Sequence, residues 1–355
     1  MLLTDQKGVI FTTVATASYL PRAMTMALSV KKQMPGGKVI VCLVEEKIPK
    51  TAGGLNAYFD EVILAKNLGF SNFYRFIFQY NQFEGANACK AQLLIYLLKA
   101  YQKHDYFIFL DSDTKVFGPF PELMKPLESN EIMVSPHFIG FNKKDPFYHL
   151  GIVQESGIFN TGLFAIKRGN GSDRFLRWWA DILLKYCYKD LKKGVWNEQK
   201  WLDLASGLFD FYVQKDPGYN VGPWNFPERI LTLAENGEYT VNEKPLRLFH
   251  FSGLFTGYFN KRIEKADPSQ RKLIEKITKE YLQELTKADQ DKFKRIPWSY
   301  ERFWGDSPIE KGSRLIFRNN TRLFKLLDNP FLKSNQYFKL TLEQHLKKKI
   351  NRSKS

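Results

Sequence analysis

Residues 8–15 ("GVIFTTVA") are almost all apolar or β-branched, the pattern of a strand buried on both faces. Pro21 then opens a helical stretch, "RAMTMALSVKKQM", that Pro35, Gly36 and Gly37 close. Residues 38–44 and the shorter 60–65 read as a second and third strand. Strand, helix and strand at this spacing predict a parallel α/β sheet. Residues 88–101 are apolar on nearly every side, which predicts a buried helix, and they lead into a strand at 106–110. More strands are predicted at 131–138, 161–167, 209–214 and 246–252, and helices at 173–188 and 197–205. There is no internal repeat and no low-complexity segment.

After Ser252 the texture changes. Residues 268–287 carry a helical apolar stripe, Ile274, Ile277, Tyr281 and Leu285. Residues 313–327 interleave Leu, Ile and Phe with Arg314, Arg318, Arg322 and Lys325. That pattern fits either a basic amphipathic surface segment or an ordinary helix packed on the domain with a solvated basic face. The tail "KKKINRSKS" is expected to be disordered.

The chain's net charge is +16, and it is unevenly placed: residues 261–355 hold 24 Lys and Arg against 12 Asp and Glu. Such a segment suits anionic lipid, nucleic acid or a polyanionic substrate. Nucleic acid is the poorest of these, because no zinc-finger or RNA-recognition signature accompanies the charge. With 355 residues, 44% of them hydrophobic, the chain can fill one large domain with additions or two modest ones. No stretch reaches transmembrane length, and the start lacks the succession of a signal peptide. Cys42, Cys89 and Cys187 are odd in number and far apart, which argues against a disulfide framework and for a reducing cytosol.

The predicted strand 106–110 ends abruptly in Asp111-Ser112-Asp113. Two carboxylates one residue apart repel unless water, donors or a cation offset them. Three roles compete: a turn in which Asp satisfies backbone donors, a general acid and base pair, and a divalent metal site for a phosphate-bearing substrate. The apolar strand before the pair favours the third, since open α/β sheets place ligands at the carboxyl ends of their strands. His250, at the end of another predicted strand, is a further donor, although it shares a face with Leu246 and Leu248 and reads equally as a core histidine.

"FLDSD", "FNTGLFAIKRG", "NEQKWLDL", "DPGYNVGPWNFPERIL" and "LFHFSG" follow one another in this order. From Gly8 to Gly253 the chain resembles nucleotide-sugar glycosyltransferases of the GT-A fold, in particular the glycogenin and bacterial galactosyltransferase group (family 8-like). The resemblance implies a GT-A, Rossmann-like mixed sheet, mainly parallel and flanked by helices. It implies Mn²⁺ or Mg²⁺ held by Asp111, Asp113 and His250, with a UDP-sugar as donor and hexosyl transfer with retention. Thr13, Ala15, Thr16 and Tyr19 would cradle the nucleoside, with Lys90 and Ser112 also facing the donor. Asn160, Thr161 and Gly162 would lie along the sugar, and Gln199 on the reacting face beside the anomeric carbon, with Gln199 and Asp113 as the catalytic residues. Two departures stand out. Glu198 replaces the aspartate usual before that glutamine. Gly253 is kept, but the group's lysine three residues beyond it is missing, so the diphosphate's basic partner stays unassigned between Lys261 and Arg262.

A sugar nucleotidyltransferase should have a glycine-rich loop after its first strand, and "TTVATASYL" has no glycine. A non-catalytic carbohydrate-binding protein would not need two aspartates and a histidine from distant segments. The expected organisation is a catalytic domain at 1–258 and a basic, mostly helical extension at 259–355. Expected partners are a nucleotide-sugar donor, a glycan or lipid-linked acceptor and an anionic membrane surface. The enzyme would be cytoplasmic and peripheral at the inner face of the membrane.

Overall fold

The structure is a computed structural model that describes residues 8–141, 145–304 and 307–332. The tail segment named above lies outside the described residues. Seven strands carry the frame: β1 (Val9–Ala15), β2 (Lys38–Leu43), β3 (Glu61–Leu64), β4 (Tyr106–Leu110), β5 (Thr114–Val116), β6 (Ile132–Pro136) and β7 (Phe159–Lys167). The central sheet runs in the order Tyr212–Val213, β6, β7, β4, β1, β2, β3. All its neighbours pair in parallel except at β7, which is antiparallel to both β4 and β6. The architecture is therefore α/β with a mixed, mainly parallel sheet, as the sequence predicts.

Alternation along the strands divides the core into two layers. Phe107 and Phe109 of β4 join the helices Lys90–Ala100 and Asn170–Leu183, through Leu93, Leu97, Phe175 and Trp179. Ile108 and Leu110 face the other way, onto Met24, Ala27 and Val30 of the helix Leu20–Gln33. Four consecutive buried residues with no polar atom in their side chains, 107–110, are what a sheet covered on both faces requires.

Past Leu110 the chain turns sharply: the Asp111 carbonyl accepts from the Thr114 backbone N–H and hydroxyl, at 3.1 and 2.8 Å. β5 then pairs antiparallel with Leu248–His250, in a register that sets His250 opposite Thr114. This small sheet stands at the carboxyl end of β4.

The described part of the C-terminal segment, up to residue 332, is built into the same body. Ile274, Ile277, Tyr281 and Leu285 are buried along the helix Pro268–Lys287, and Tyr281 stacks on Phe251 with ring centroids 3.8 Å apart. Trp298, Tyr300, Phe317 and Phe331 share the core of the Lys90–Ala100 helix. The Trp298 indole N–H donates to the Val44 carbonyl, and the Glu45 carboxylate accepts from the backbones of Ala17 and Ser299, each at 2.8 Å.

Three expectations need correction. The helix expected at 197–205 begins only at Trp201, because Asn197 sits at φ 47°, a left-handed conformation that a helix cannot continue. The strand expected at 209–214 shrinks to Tyr212–Val213 at the sheet's edge. Residues 313–327 form two helices, Lys311–Asn319 and Thr321–Leu326, separated where the Asn320 side chain caps the second. Arg314 faces inward, so this segment is a packed part of the fold rather than a detached surface stripe.

Candidate active site

Asp111, Asp113 and His250 converge. Each offers one ligand atom, and the three atoms lie within 4.8 Å of one another. His250 Nε2 is 3.1 Å from Asp113 Oδ1 and 3.9 Å from Asp111 Oδ2. The Asn220 amide nitrogen donates to Asn160 and Ser135, which leaves its oxygen, 3.0 Å from His250 Nδ1, to accept the ring proton. Nδ1 therefore carries the hydrogen and Nε2 is turned toward the carboxylates, the arrangement that second-shell partners impose on a ligating histidine. Two hard carboxylates and one imidazole fit a divalent cation such as Mn²⁺ or Mg²⁺.

Lys90 accounts for part of the question the paired aspartates raise. Its ammonium lies 2.9 Å from Asp111 and 2.7 Å from Glu198, and it also donates to the Thr161 hydroxyl. Burial opposes its charge, yet the two carboxylates hold its pKa above the usual lysine value. A lysine at a helix start is ordinarily solvated; here it is buried and locked. Glu198, whose role the sequence leaves open, is the buried counter-charge that keeps it there. Burial pushes the Asp111 carboxyl up, while Lys90 and His250 pull against it. Burial also opposes the Asp113 charge, but His250 and Arg22 hold that carboxyl down to about 2.

The triad opens into a cleft of about 1170 Å³. Ala15, Thr16, Tyr19, Lys90, Ser112, Asn160, Gln199 and Gly253 all line it. The Gln199 amide nitrogen donates to the Ser156 carbonyl at 2.9 Å, which fixes that side chain. Three expected residues stand elsewhere. Thr13 is fully buried in β1, away from the lining. Thr161 is buried between Lys90 and Glu198, its hydroxyl donating to the Glu198 carboxylate at 2.6 Å. Gly162 backs the histidine rather than a ligand: a Cβ there would lie 2.3 Å from His250 Cε1.

Arg22 and Trp224 line the cleft and escape a sequence reading, while of the two bases left open for the diphosphate Arg262 is on the lining and Lys261 is not. Arg22 stands with its guanidinium 4.1 Å from the Tyr19 ring centroid and 4.7 Å from that of Phe255. Its Nε has no hydrogen-bond partner among the described residues. Arg262 lies over Tyr148 and Tyr258. Trp224 packs edge-on against His250 and His137. In the first turn of its helix, Arg22 gives no signal in sequence; only the fold brings Phe255 over it.

No protein-family model matches the chain. Over 98 residues it is 29% identical to an uncharacterized protein, YfnF, of Bacillus subtilis (strain 168), a match covering 27% of this chain. The match spans about a third (32%) of that relative's length. The chain is similar in structure to glycosyltransferases. One is the galactosyltransferase LgtC in complex with donor and acceptor sugar analogs, at TM-score 0.40 and 15% identity, covering 69% of this chain and 87% of that one. GlyE of Streptococcus pneumoniae TIGR4 aligns at TM-score 0.40 and 16% identity, over 62% of this chain and 49% of its own. Mouse xyloside xylosyltransferase 1 aligns at TM-score 0.40 and 12% identity, over 69% and 97%. Scores this low carry no argument about activity, which has to come from the geometry of this chain.

Proposed function

We propose that this chain is a metal-dependent glycosyltransferase that moves a hexosyl unit from a UDP-sugar to a hydroxyl of a glycan or lipid-linked acceptor. The observation that carries the reading is the meeting of Asp111, Asp113 and His250 at one point of a large cleft, at the carboxyl end of a central strand. When bound, Mn²⁺ or Mg²⁺ supplies Lewis-acid neutralisation of the departing diphosphate. Asp111 and Asp113 provide the carboxylate oxygens that hold it, and Asn220 orients His250 to do the same. Arg22, stacked between Tyr19 and Phe255, offers the diphosphate a preorganised donor fork in place of the missing lysine. Asn160 and Gln199 flank the space where the sugar would lie, and Lys90 holds Asp111 in position.

In this reading the bond from anomeric carbon to phosphate oxygen breaks as the bond to the acceptor oxygen forms on the same face. The acceptor's proton passes to the diphosphate, and configuration is retained. With the chain divided at residue 258, the first part binds the donor, and the described part of the extension completes the cleft and faces an anionic membrane surface. The test is release of UDP from a panel of UDP-sugars with Mn²⁺ and with chelator, for wild type and Asp113→Asn. Metal-dependent release that falls to background in the variant is expected. Near-normal metal-dependent turnover by Asp113→Asn would be incompatible with the assignment, and the anomeric configuration of the product, read by NMR, decides retention.

A further inference from the structure

The cleft does not end at the triad. It continues to the helix Lys311–Asn319, where Lys311, Arg314, Leu315 and Arg318 form part of its wall. Arg318 lays its guanidinium 3.7 Å from the Tyr188 ring centroid, and its Nε has no hydrogen-bond partner among the described residues. Arg314 is buried, and its guanidinium donates to the carbonyls of Phe78 and Tyr300. Among the described residues, none of Lys311, Arg314 and Arg318 forms an ion pair.

Three carboxylates face the same end. Glu155 is neutralised by Lys189 at 3.0 Å, Glu84 accepts from the Asn81 backbone at its own helix cap, and Glu301 is exposed. Burial raises the Glu84 carboxyl, while the Asn81 backbone, Arg318, Lys311 and Arg314 pull it down, so Glu84 answers part of their charge. Two carboxylates, Glu84 and the exposed Glu301, stand against three cations, so this wall keeps a net positive charge. Beside it stand exposed Phe83 and Leu315, and Trp196 with the Lys189 ammonium 3.8 Å from its ring centroid.

We propose that this end of the cleft is a separate subsite for a phosphate-bearing acceptor, an inference that rests on the glycosyltransferase reading of the triad. A phosphate ester carries up to two charges and several acceptor oxygens, which match an arginine fork and a lysine point charge together. A neutral glycan would leave those donors without an anion to answer them. The donor's own diphosphate belongs beside Asp111 and Asp113, so this anion is a second one. The apolar rim suits a phosphate carried by a lipid or by a soluble sugar, and the two are separable by experiment.

Calorimetry on the full-length protein, with UDP and Mn²⁺ saturating, tests the subsite with glucose 6-phosphate, glucose, and a polyprenyl phosphate in detergent micelles. Glucose 6-phosphate should bind about tenfold or more tightly than glucose. Arg318→Gln and Lys311→Gln should each weaken it about fivefold or more. UDP affinity within about twofold of wild type reports an intact fold, and the exposed Lys311 provides a variant that tests the wall even where Arg318→Gln does not fold. Tighter binding of the polyprenyl phosphate assigns the lipid source, and the reverse order the soluble one. Equal affinity for glucose and its phosphate would overturn the subsite, as would folded variants binding like wild type, while UDP binding left the donor reading standing. A wild type that fails to bind UDP sinks both.

Discussion

Arg22 holds the plane of its guanidinium between two rings, so the entropy of ordering a long side chain is spent before any ligand arrives. A charge-assisted hydrogen bond contributes about 1.5–3 kcal/mol, roughly ten- to a hundredfold in affinity. Arg22→Gln should therefore weaken UDP binding in Mn²⁺ by at least about tenfold, with little change in melting temperature. Arg22→Lys should recover only part of the loss, because an ammonium cannot stack as a plane. Unchanged UDP affinity in Arg22→Gln would remove it from the diphosphate site. His137 makes a different prediction, about stability. Burial lowers its pKa from 6.5 to about 4, and its Nδ1–H donates to the Gly157 carbonyl at 2.8 Å. Because the folded state binds this proton less readily than the unfolded one, stability is lost as pH falls through 6.5 toward 4. At pH 5 the loss from this residue is about 2 kcal/mol. Urea midpoints at pH 7 and 5 should separate by less in His137→Gln than in wild type; equal separation would refute the assignment.

Between elements, the deciding contact is that of β7 with the strand Leu248–His250. Gly162 lies where an added Cβ would meet His250 Cε1 and, 2.8 Å away, the Asn160 side-chain oxygen. The backbone has little room to retreat, since the Gly162 carbonyl accepts from Asp111 at 2.9 Å. Gly162→Ala should therefore push the imidazole off both Asn220 and Asp113, lowering Mn²⁺ affinity about 10- to 100-fold while the sheet survives. Electron paramagnetic resonance titration of Mn²⁺ measures this, and wild-type affinity would show that the histidine has no part in the site. Elements of this kind set the limit of what the sequence discloses. β1, β2 and β4 are legible because continuous apolar runs between turn residues have few other meanings. Asp111 and Asp113 are legible because they interrupt such a run. The pairing of β5 with Leu248–His250 is not, because two three-residue strands far apart in sequence carry no periodicity. Nor is the burial of Lys90, since what makes it tolerable is Glu198, delivered by a turn that the left-handed Asn197 creates. Helical spacing of Trp196, Trp201 and Leu204 suggests an inward face, but Leu204 is 55% exposed once that turn breaks the helix.

For the molecule as a whole, the asymmetry of charge is the feature that local packing does not explain. Half the basic residues of 261–355 would balance its acids, which leaves a surplus of 12 positive charges. No helix among the described residues is long and apolar enough to cross a membrane. Leu326 and Leu332, 67% and 41% exposed, stand in the same segment. Trp298, which lines the cleft, and Ser299 tie that segment to Val44 and Glu45, so a surface that docks it would also orient the cleft. Each Lys or Arg close to an anionic surface contributes about 1 kcal/mol, and the attraction decays over a Debye length of about 8 Å in physiological salt. Full-length protein should thus co-sediment with phosphatidylserine-containing vesicles and not with neutral ones, and about 0.5 M NaCl should release most of it. Arg322→Gln with Lys325→Gln, on the last described helix, should cut the bound fraction without lowering the melting temperature, since that helix has no buried residue. Equal partitioning to both vesicle types, or to neither, would mean that the surplus charge serves a soluble anion instead.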